Sequence, residues 1–261
     1  SINNSTLGIT GATTIDNSIA LTNSATISNT AAATLSGAIS GSGSLSKAGL
    51  GVLSLSGTSN YGGSTTVSAG TLAVNGALNG TSEVAVSSGA TLTGSGSITN
   101  LVVSSGGTLS PGNGTGVFTV NGNLQMISGS TLAIEINGVT AGTDYDQVIV
   151  NGTASLAGSL SVNHGYSPGQ GDIYTIIVND MADLITGTFS GSAEGATLTA
   201  GGNGTVLTAS YIGGTGNDFT LAAPVNAAPV IGNLNGDSVS FIEDSAHALL
   251  DANSDATVTD H

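Results

Sequence analysis

A short phrase of glycine, threonine and leucine returns along this chain at intervals of about 20 residues, and this recurrence constrains the fold more than any other feature. The leucines that end the phrase are Leu72, Leu92, Leu109, Leu132 and, further on, Leu198. Threonine stands directly before each of them, with glycine two or three residues before the leucine. Such a period is typical of a solenoid, in which each coil of chain buries its apolar face against the next.

Short apolar pairs indicate that the coils are built from β-strands. The members of each pair are two residues apart: Leu53 with Leu55, Leu72 with Val74, Val84 with Val86, Leu101 with Val103, Leu132 with Ile134, and Leu160 with Val162. Alternation at a period of two places both members on one strand face. Strands this short must stack on equivalent strands of neighbouring coils. We therefore expect the pairs to point inward, with Leu72 above Leu92.

Eight Asn-Gly dipeptides separate the strands and leave two architectures open. Both residue types accept a positive φ at low cost, which permits the corners of a β-helix. Asn-Gly is also a strong hairpin signal, which favours an antiparallel sandwich. The regular return of the phrase favours the parallel β-helix, with roughly ten coils stacked at about 4.8 Å into a rod about 50 Å long.

The composition excludes several classes of partner. Lysine and arginine together number one, Lys47, against 16 acidic residues, so no positive patch for nucleic acid or an anionic membrane surface can form. No apolar run approaches the ~18 residues of a membrane helix. No cysteine is present for a disulfide or a thiolate metal site. Aromatic residues make up 3% of the chain, which predicts a thin aliphatic core.

One continuous stretch carries a family resemblance. Residues 47–74 run Lys-Ala-Gly-Leu-Gly-Val-Leu-Ser-Leu-Ser-Gly-Thr-Ser-Asn-Tyr-Gly-Gly-Ser-Thr-Thr-Val-Ser-Ala-Gly-Thr-Leu-Ala-Val and resemble the passenger-associated transport repeat of bacterial autotransporter β-helices. Residues 107–112 and 144–150 resemble the coils that follow this repeat. The resemblance ties residues from about 35 to 221 to this class. It implies a right-handed parallel β-helix (β-solenoid) outside the outer membrane, and it implies no catalytic residues.

The C-terminal part departs from that pattern. Residues 224–231 contain two prolines and predict an extended linker, because proline excludes the helical conformation from the residue before it. Residues 232–261 resemble the beginning of a cadherin-like tandem domain of large type I-secreted adhesins. The sequence thus predicts an all-β chain with a solenoid over 1–223, the linker, and an extended tail or partial Ig-like domain. Both chain ends are interpreted as cut from a longer parent.

Two stretches match parts of calcium-binding loops. Residues 213–218, Gly-Gly-Thr-Gly-Asn-Asp, match the first six positions of the RTX β-roll nonapeptide and make Asp218 a candidate ligand, with a plain glycine turn as the alternative. Asp251, Asn253 and Asp255 have the oxygen spacing of a calcium loop, although Ala256 stands where glycine is expected. Calcium in the tail is the one cofactor that the sequence suggests, and none is expected within residues 1–210.

The remaining polar residues favour no catalytic mechanism. Asp144 with Asp146, and Asp180 with Asp183, are the carboxylate pairs whose spacing bears on glycosidase chemistry. A solvated turn before the strand at 148–150 is the favoured interpretation of the first pair. His164 and His247 are isolated from each other in sequence, and zinc would need further ligands. We predict that the chain is not an enzyme.

Two threonine pairs suggest a different use of a strand face. Thr91 with Thr93, and Thr197 with Thr199, each place two hydroxyls on one side of a strand, an arrangement that orders water when it is stacked on a flat sheet. The other coils do not repeat the pair in sequence. Ordinary β-branched residues on a solvated face are therefore the favoured interpretation.

Together these observations predict a structural solenoid segment of a secreted bacterial surface adhesin or extracellular fibre, which spaces or displays adhesive domains. A carbohydrate- or ice-binding module on an exposed solenoid face is the alternative. The expected partners are a glycan and further copies of the chain, joined through solenoid ends or the C-terminal tail, with no nucleic acid and no membrane insertion. The expected location is extracellular or the bacterial cell surface.

Overall fold

The computed structural model describes residues 1–180 and 183–225, together with the backbone of two short strands at 230–232 and 257–259. Every regular element in this described part is a β-strand. None of its segments is a helix long and apolar enough to cross a membrane.

The strands are short and follow one another closely along the chain. The first ten are β1 Ser5–Ile9, β2 Thr13–Ile15, β3 Ile19–Leu21, β4 Ala25–Asn29, β5 Ala33–Leu35, β6 Ile39–Gly41, β7 Leu45–Ala48, β8 Val52–Leu55, β9 Thr65–Val67 and β10 Gly70–Val74. The next ten are β11 Ala77–Leu78, β12 Val84–Val86, β13 Ala90–Gly94, β14 Ser97–Ile98, β15 Leu101–Val103, β16 Thr108–Pro111, β17 Val117–Val120, β18 Leu124–Met126, β19 Thr131–Ile136 and β20 Gln147–Val150. The last ten are β21 Ala154–Leu156, β22 Ser159–His164, β23 Ile173–Asn179, β24 Thr186–Gly187, β25 Thr197–Thr199, β26 Gly201–Gly202, β27 Val206–Gly213, β28 Asp218–Ala222, β29 Val230–Gly232 and β30 Thr257–Thr259.

Three long sheets run along the molecule, and successive strands belong to different sheets. The first sheet has the order β1-β4-β7-β9-β12-β15-β18-β21-β24, and the second has the order β2-β5-β8-β10-β13-β16-β19-β22-β26. The third has the order β11-β14-β17-β20-β23-β28-β27-β25, and β3 pairs with β6. Neighbouring strands of the first two sheets are parallel. This arrangement confirms the predicted all-β solenoid with parallel stacked strands.

Four of the recurrent leucines, Leu72, Leu92, Leu109 and Leu132, lie in one continuous inward column of the second sheet, whereas Leu198 lies in β25 of the third sheet, opposite Leu207. Paired in register from coil to coil are Ala33, Leu53, Leu72, Leu92, Leu109, Leu132 and Leu160. The predicted stacking of Leu72 on Leu92 is confirmed, and both side chains are fully buried. Eleven of the twelve residues of the predicted apolar pairs lie in the core, and the twelfth, Leu160, is partly buried and packs against it. Burial at about 25 cal/mol per Å² makes such columns the main stabilising feature of the fold.

The C-terminal end of the solenoid departs from parallel stacking. Strand β28 is antiparallel to β23 and to β27, and β27 is antiparallel to β25. Large aromatic side chains fill this end, where the Phe219 ring lies 5.2 Å from Phe189 and 4.7 Å from Tyr211, between ring centroids. The antiparallel strands and these rings cover the last coils, where small aliphatic residues alone would leave the core open to water.

The chain divides into two compact units, Ser1–Ala223 and Pro224–His261. In the second unit, β29 and β30 pair antiparallel, with Ile231 opposite Val258. The rest of the predicted linker and cadherin-like segment lies outside the described residues. Those assignments therefore stay predictions.

Candidate functional site

The glycine-rich turn that carries Asp218 is held by its own hydrogen bonds. One carboxylate oxygen of Asp218 accepts from the Asn179 backbone N–H at 2.9 Å, and the other accepts from the Thr215 N–H at 3.1 Å. Asp218 is buried, and Gly214 has a positive φ of 55° with no room for a Cβ beside that carboxylate. These contacts account for the motif as a turn between β27 and β28.

Of the predicted calcium ligands, Asp218 alone belongs to the described residues. Asp251, Asn253 and Asp255 lie outside the described residues. Within those residues, no group of three or more histidine, aspartate and glutamate side chains is arranged to hold a metal ion. Calcium binding in the tail therefore remains a prediction.

The two carboxylates of the first candidate pair have different partners. Asp144 accepts a hydrogen bond from the Thr140 N–H at 3.1 Å. Asp146 is buried and accepts from the backbone N–H groups of Gly116 and Glu135, both at 2.8 Å. The interpretation as a solvated turn is thus wrong for Asp146, because those two backbone donors draw its carboxylate into the interior. Burial raises the pKa of Asp146 to about 7, although the two backbone hydrogen bonds oppose the shift.

The second pair contributes backbone rather than side-chain groups to a local network. The side-chain amide of Asn217 donates to the carbonyl oxygens of Asp180 at 3.0 Å and Asp183 at 3.1 Å. These hydrogen bonds hold the backbone at Asp180 and Asp183 against the residue before β28. Neither carboxylate pair forms a facing acid and base in these contacts.

Lys47 has a position that the sequence analysis missed. It is fully buried in the first sheet, in an inward column between Ile27 and Val67. Its Nζ donates to the carbonyl oxygens of Ala48 at 3.0 Å, Gly49 at 2.8 Å and Ala69 at 3.0 Å. Burial lowers the pKa of this ammonium group. The signal was present in Leu45-Ser46-Lys47, where Lys47 occupies the inward position of a strand with period two.

His164 lies in an aromatic cluster near the C-terminal end of the solenoid. Its ring stacks on Tyr166 at a centroid distance of 4.9 Å and meets the edge of Tyr174 at 5.8 Å. Its Nδ1 is 3.3 Å from the side-chain amide nitrogen of Asn203. Burial lowers the pKa of His164, so the neutral imidazole is favoured in the fold. His247, the second candidate, lies outside the described residues.

The outer face of the second sheet carries small hydroxyl side chains in register. One column consists of Thr71, Thr91, Thr108, Thr131 and Ser159. Beside it, Thr93 pairs with Ser110, and Ala133 pairs with Ser161. No other coil of this sheet repeats the Thr91 and Thr93 pair, although Thr108 with Ser110 and Ser159 with Ser161 place two hydroxyls in the same positions. Coil lengths of 17 to 28 residues, measured between the column leucines, hid this alignment in the sequence.

These features define a parallel β-solenoid whose buried polar groups largely bind its own backbone. Residues 45–74, from β7 to β10, match the family model described as Passenger-associated-transport-repeat. The match confirms the resemblance seen in residues 47–74, and Lys47 lies inside it.

A curated relative extends the similarity beyond that repeat. Over 155 residues, 56% of this chain, the sequence is 33% identical to the "Extracellular serine protease" of Serratia marcescens. The matched region is 14% of that protein's length. The chain thus spans a small part of the relative, and its similarity there concerns a segment rather than the whole protein.

Proposed function

We propose that this chain is a structural solenoid segment of a secreted bacterial surface adhesin or extracellular fibre, which holds adhesive domains away from the cell. The observation that carries the proposal is the unbroken inward column from Ala33 to Leu160, which stacks seven coils in register. A stack of this kind is stiff, since each coil is held by backbone hydrogen bonds and buried side chains on both sides. Its length is set by the number of coils.

The polar chemistry of the chain supports a non-enzymatic role. The single basic side chain, Lys47, is enclosed by backbone carbonyls, and Asp146 and Asp218 are occupied by backbone donors. A catalytic site needs groups whose hydrogen bonds are directed at a substrate. The similarity to an extracellular protein supports a location outside the cell.

Removal of one coil tests the spacer function. Deletion of residues 73–92 removes one coil and joins Leu72 directly to Thr93. Because Leu72 and Leu92 are paired in register, Leu72 then takes the place of Leu92, and the register of the later coils is kept. With the chain fixed to a surface and a small binding domain fused behind it, atomic force microscopy should show that domain about 5 Å lower. An unchanged height would contradict the proposal. Hydrolysis of a peptide or polysaccharide by the purified chain, lost in Asp146→Asn, would favour an enzyme instead.

Fibre formation through the N-terminal coil is part of the same proposal. Leu7 and Ile15 of the first coil are only partly buried, whereas Ile27 and Leu35, their neighbours in the adjacent coil, are fully buried. Strands β1 and β2 stand at one edge of the first and second sheets of this chain, and a sheet edge can pair with a strand of a second copy. Electron microscopy of the chain and of a variant lacking residues 224–261 separates two routes. Filaments in both support assembly through solenoid ends, and filaments in the intact chain alone support assembly through the tail.

Binding of ice by the hydroxyl columns is a second candidate, favoured by their register. Strand neighbours are about 4.8 Å apart, so the column from Thr71 to Ser159 presents one hydroxyl per coil at that spacing. Thr91→Tyr should disrupt that column, while Thr66→Tyr, an outward change on the first sheet, leaves it intact. Inhibition of ice recrystallisation by the chain, lost in the first variant and kept in the second, would support this function. An inactive native chain would exclude it.

A further inference from the structure

A shallow groove crosses three coils on the outer face of the first sheet. Its lining residues are Glu83, Asn100, Leu101, Val102, Asn123 and Gln125. They belong to strands β12, β15 and β18 or stand directly before them. No sequence motif marks the groove, because its residues come from three coils.

The register of the strands explains the shape of the groove. Val84 pairs with Leu101, and Leu101 pairs with Leu124, so Glu83, Asn100 and Asn123 follow one another directly before these strands. The outward positions two residues later are Ala85, Val102 and Gln125, also in register. The short side chains of Ala85 and Val102 leave a depression beside the long side chains of Glu83 and Gln125. Glu83 and Gln125 are two coils apart, which is about 10 Å in the stacking direction.

Hydrogen bonds fix Asn100 and Asn123 in the middle of the groove, whereas the side chains of Glu83 and Gln125 at its two ends are available to a ligand. The Asn100 side chain accepts from the Asn123 backbone N–H at 2.9 Å and donates to the Ser82 carbonyl at 2.9 Å. The Asn123 side-chain oxygen accepts from the Thr153 N–H at 2.9 Å, which leaves its NH₂ group as a donor. Within the described residues, the Glu83 carboxylate and the Gln125 amide make no side-chain hydrogen bond, and both are exposed.

The charge of the site selects the class of ligand. Glu83 contributes one negative charge, and the only basic side chain of the chain, Lys47, is buried elsewhere in the first sheet. An anionic ligand would therefore meet no neutralising group. A neutral, hydroxyl-rich ligand fits, because its hydroxyls donate to Glu83 and accept from the amides of Asn123 and Gln125. Val102 offers an aliphatic surface for the C–H face of a sugar ring.

We propose that this groove binds a short segment of neutral glycan. The binding goes beyond the spacer function, since the inward columns maintain the rod whether or not the groove is occupied. Failure of glycan binding would leave the predicted height change per coil untouched. Failure of the height change would leave the groove intact as a separate property.

Nuclear magnetic resonance of the full chain tests the proposal through the side-chain amide signals of Asn123 and Gln125. The neutral probes are maltose, mannobiose and N,N′-diacetylchitobiose, and the comparison probes are digalacturonic acid and calcium chloride. We expect at least one neutral sugar to shift both signals at saturable concentrations. Gln125→Ala should weaken the affinity measured at Asn123 about tenfold, the effect of one lost hydrogen bond to the ligand.

Gln170→Ala is the matched control, because Gln170 is also exposed and lies in a turn between β22 and β23, outside the groove. It should leave the affinity unchanged, and equal melting temperatures of the two variants would show that the fold is kept. Three results would overturn the proposal: no response to any neutral sugar, equal weakening in both variants, or a response to calcium or the acidic sugar alone.

Discussion

Lys47 pairs in register with Val67 on the neighbouring strand, so the chain's only basic side chain stands in a column of buried aliphatic residues. The ammonium group is compensated by three backbone carbonyls rather than by a carboxylate. Gly49 supplies one of those carbonyls, and its positive φ of 74° and lack of a side chain bring it against the Asn29 backbone. The Lys47 side chain therefore holds the turn after β7 by hydrogen bonds made from inside the solenoid.

Lys47→Met tests whether these hydrogen bonds stabilise the solenoid. Methionine fills a similar volume but leaves the carbonyls of Ala48, Gly49 and Ala69 without the lysine donor. We expect the free energy of unfolding in urea to fall by about 1–3 kcal/mol, the cost of a buried polar group left unsatisfied. Ile27→Met, one coil away in the same column, should cost less than about 1.5 kcal/mol. A more stable Lys47→Met variant would mean that desolvation of the ammonium outweighs its hydrogen bonds.

Leu92→Asp tests the inward column. The substitution places a carboxylate between Leu72 and Leu109 with no partner for its charge. We expect a loss of about 4 kcal/mol or more in the free energy of unfolding. Thr91→Asp, the adjacent outward position, serves as the control and should change stability by no more than about 0.5 kcal/mol. Similar melting of the two variants would contradict the inward orientation of Leu92.

Asp146 should make the solenoid more stable as the pH falls. Its pKa rises from an ordinary value of 3.8 to about 7 in the fold, so the folded state binds the proton more tightly than the unfolded state. This contribution is complete below pH 3.8 and is lost as the pH rises through about 7. The measurement is the thermal stability of the native chain and of the Asp146→Asn variant at several pH values between 3.8 and about 7. The stability difference between native and variant chains should decrease with rising pH, and a constant difference would refute the assignment.

His164 should have the opposite effect. Burial lowers its pKa below the ordinary value of 6.5, so the fold favours the neutral ring. Its contribution is present above pH 6.5 and is lost as the pH falls through the lower pKa of the folded state. Replacement by glutamine should therefore reduce the loss of melting temperature on acidification, relative to the native chain. An identical acid response in the His164→Gln variant would show that the ring does not titrate within this range.

Calcium titration distinguishes the two loops suggested by the sequence. Because Asp218 is occupied by the N–H groups of Asn179 and Thr215, we expect Asp218→Asn to leave any calcium affinity of the chain unchanged. The double change Asp251→Asn and Asp255→Asn should abolish that affinity. Isothermal titration calorimetry on the full-length chain measures the calcium affinity of the Asp218→Asn variant and of the double variant. Their melting temperatures verify that both variants are folded. Loss of calcium binding in a folded Asp218→Asn variant would contradict the structural account of the turn.

The strands and their inward faces could be predicted from the sequence alone. Alternation at a period of two is a local property, so Leu72 with Val74, or Leu101 with Val103, could be assigned to the core without knowledge of any neighbour. The recurrence of Gly-Thr-Leu likewise predicted the stacking of Leu72 on Leu92, because successive coils of similar length align naturally.

The pairing of residues between coils of different length became known from the three-dimensional fold. The hydroxyl columns and the groove at Val102 depend on the register between strands separated by 17 to 28 residues, which loops of varied length conceal. The buried states of Lys47 and Asp146 depend on carbonyl and N–H groups supplied partly by other coils. The antiparallel pairing of β28 with β23 joins strands that lie far apart in the sequence, so no local pattern specified it.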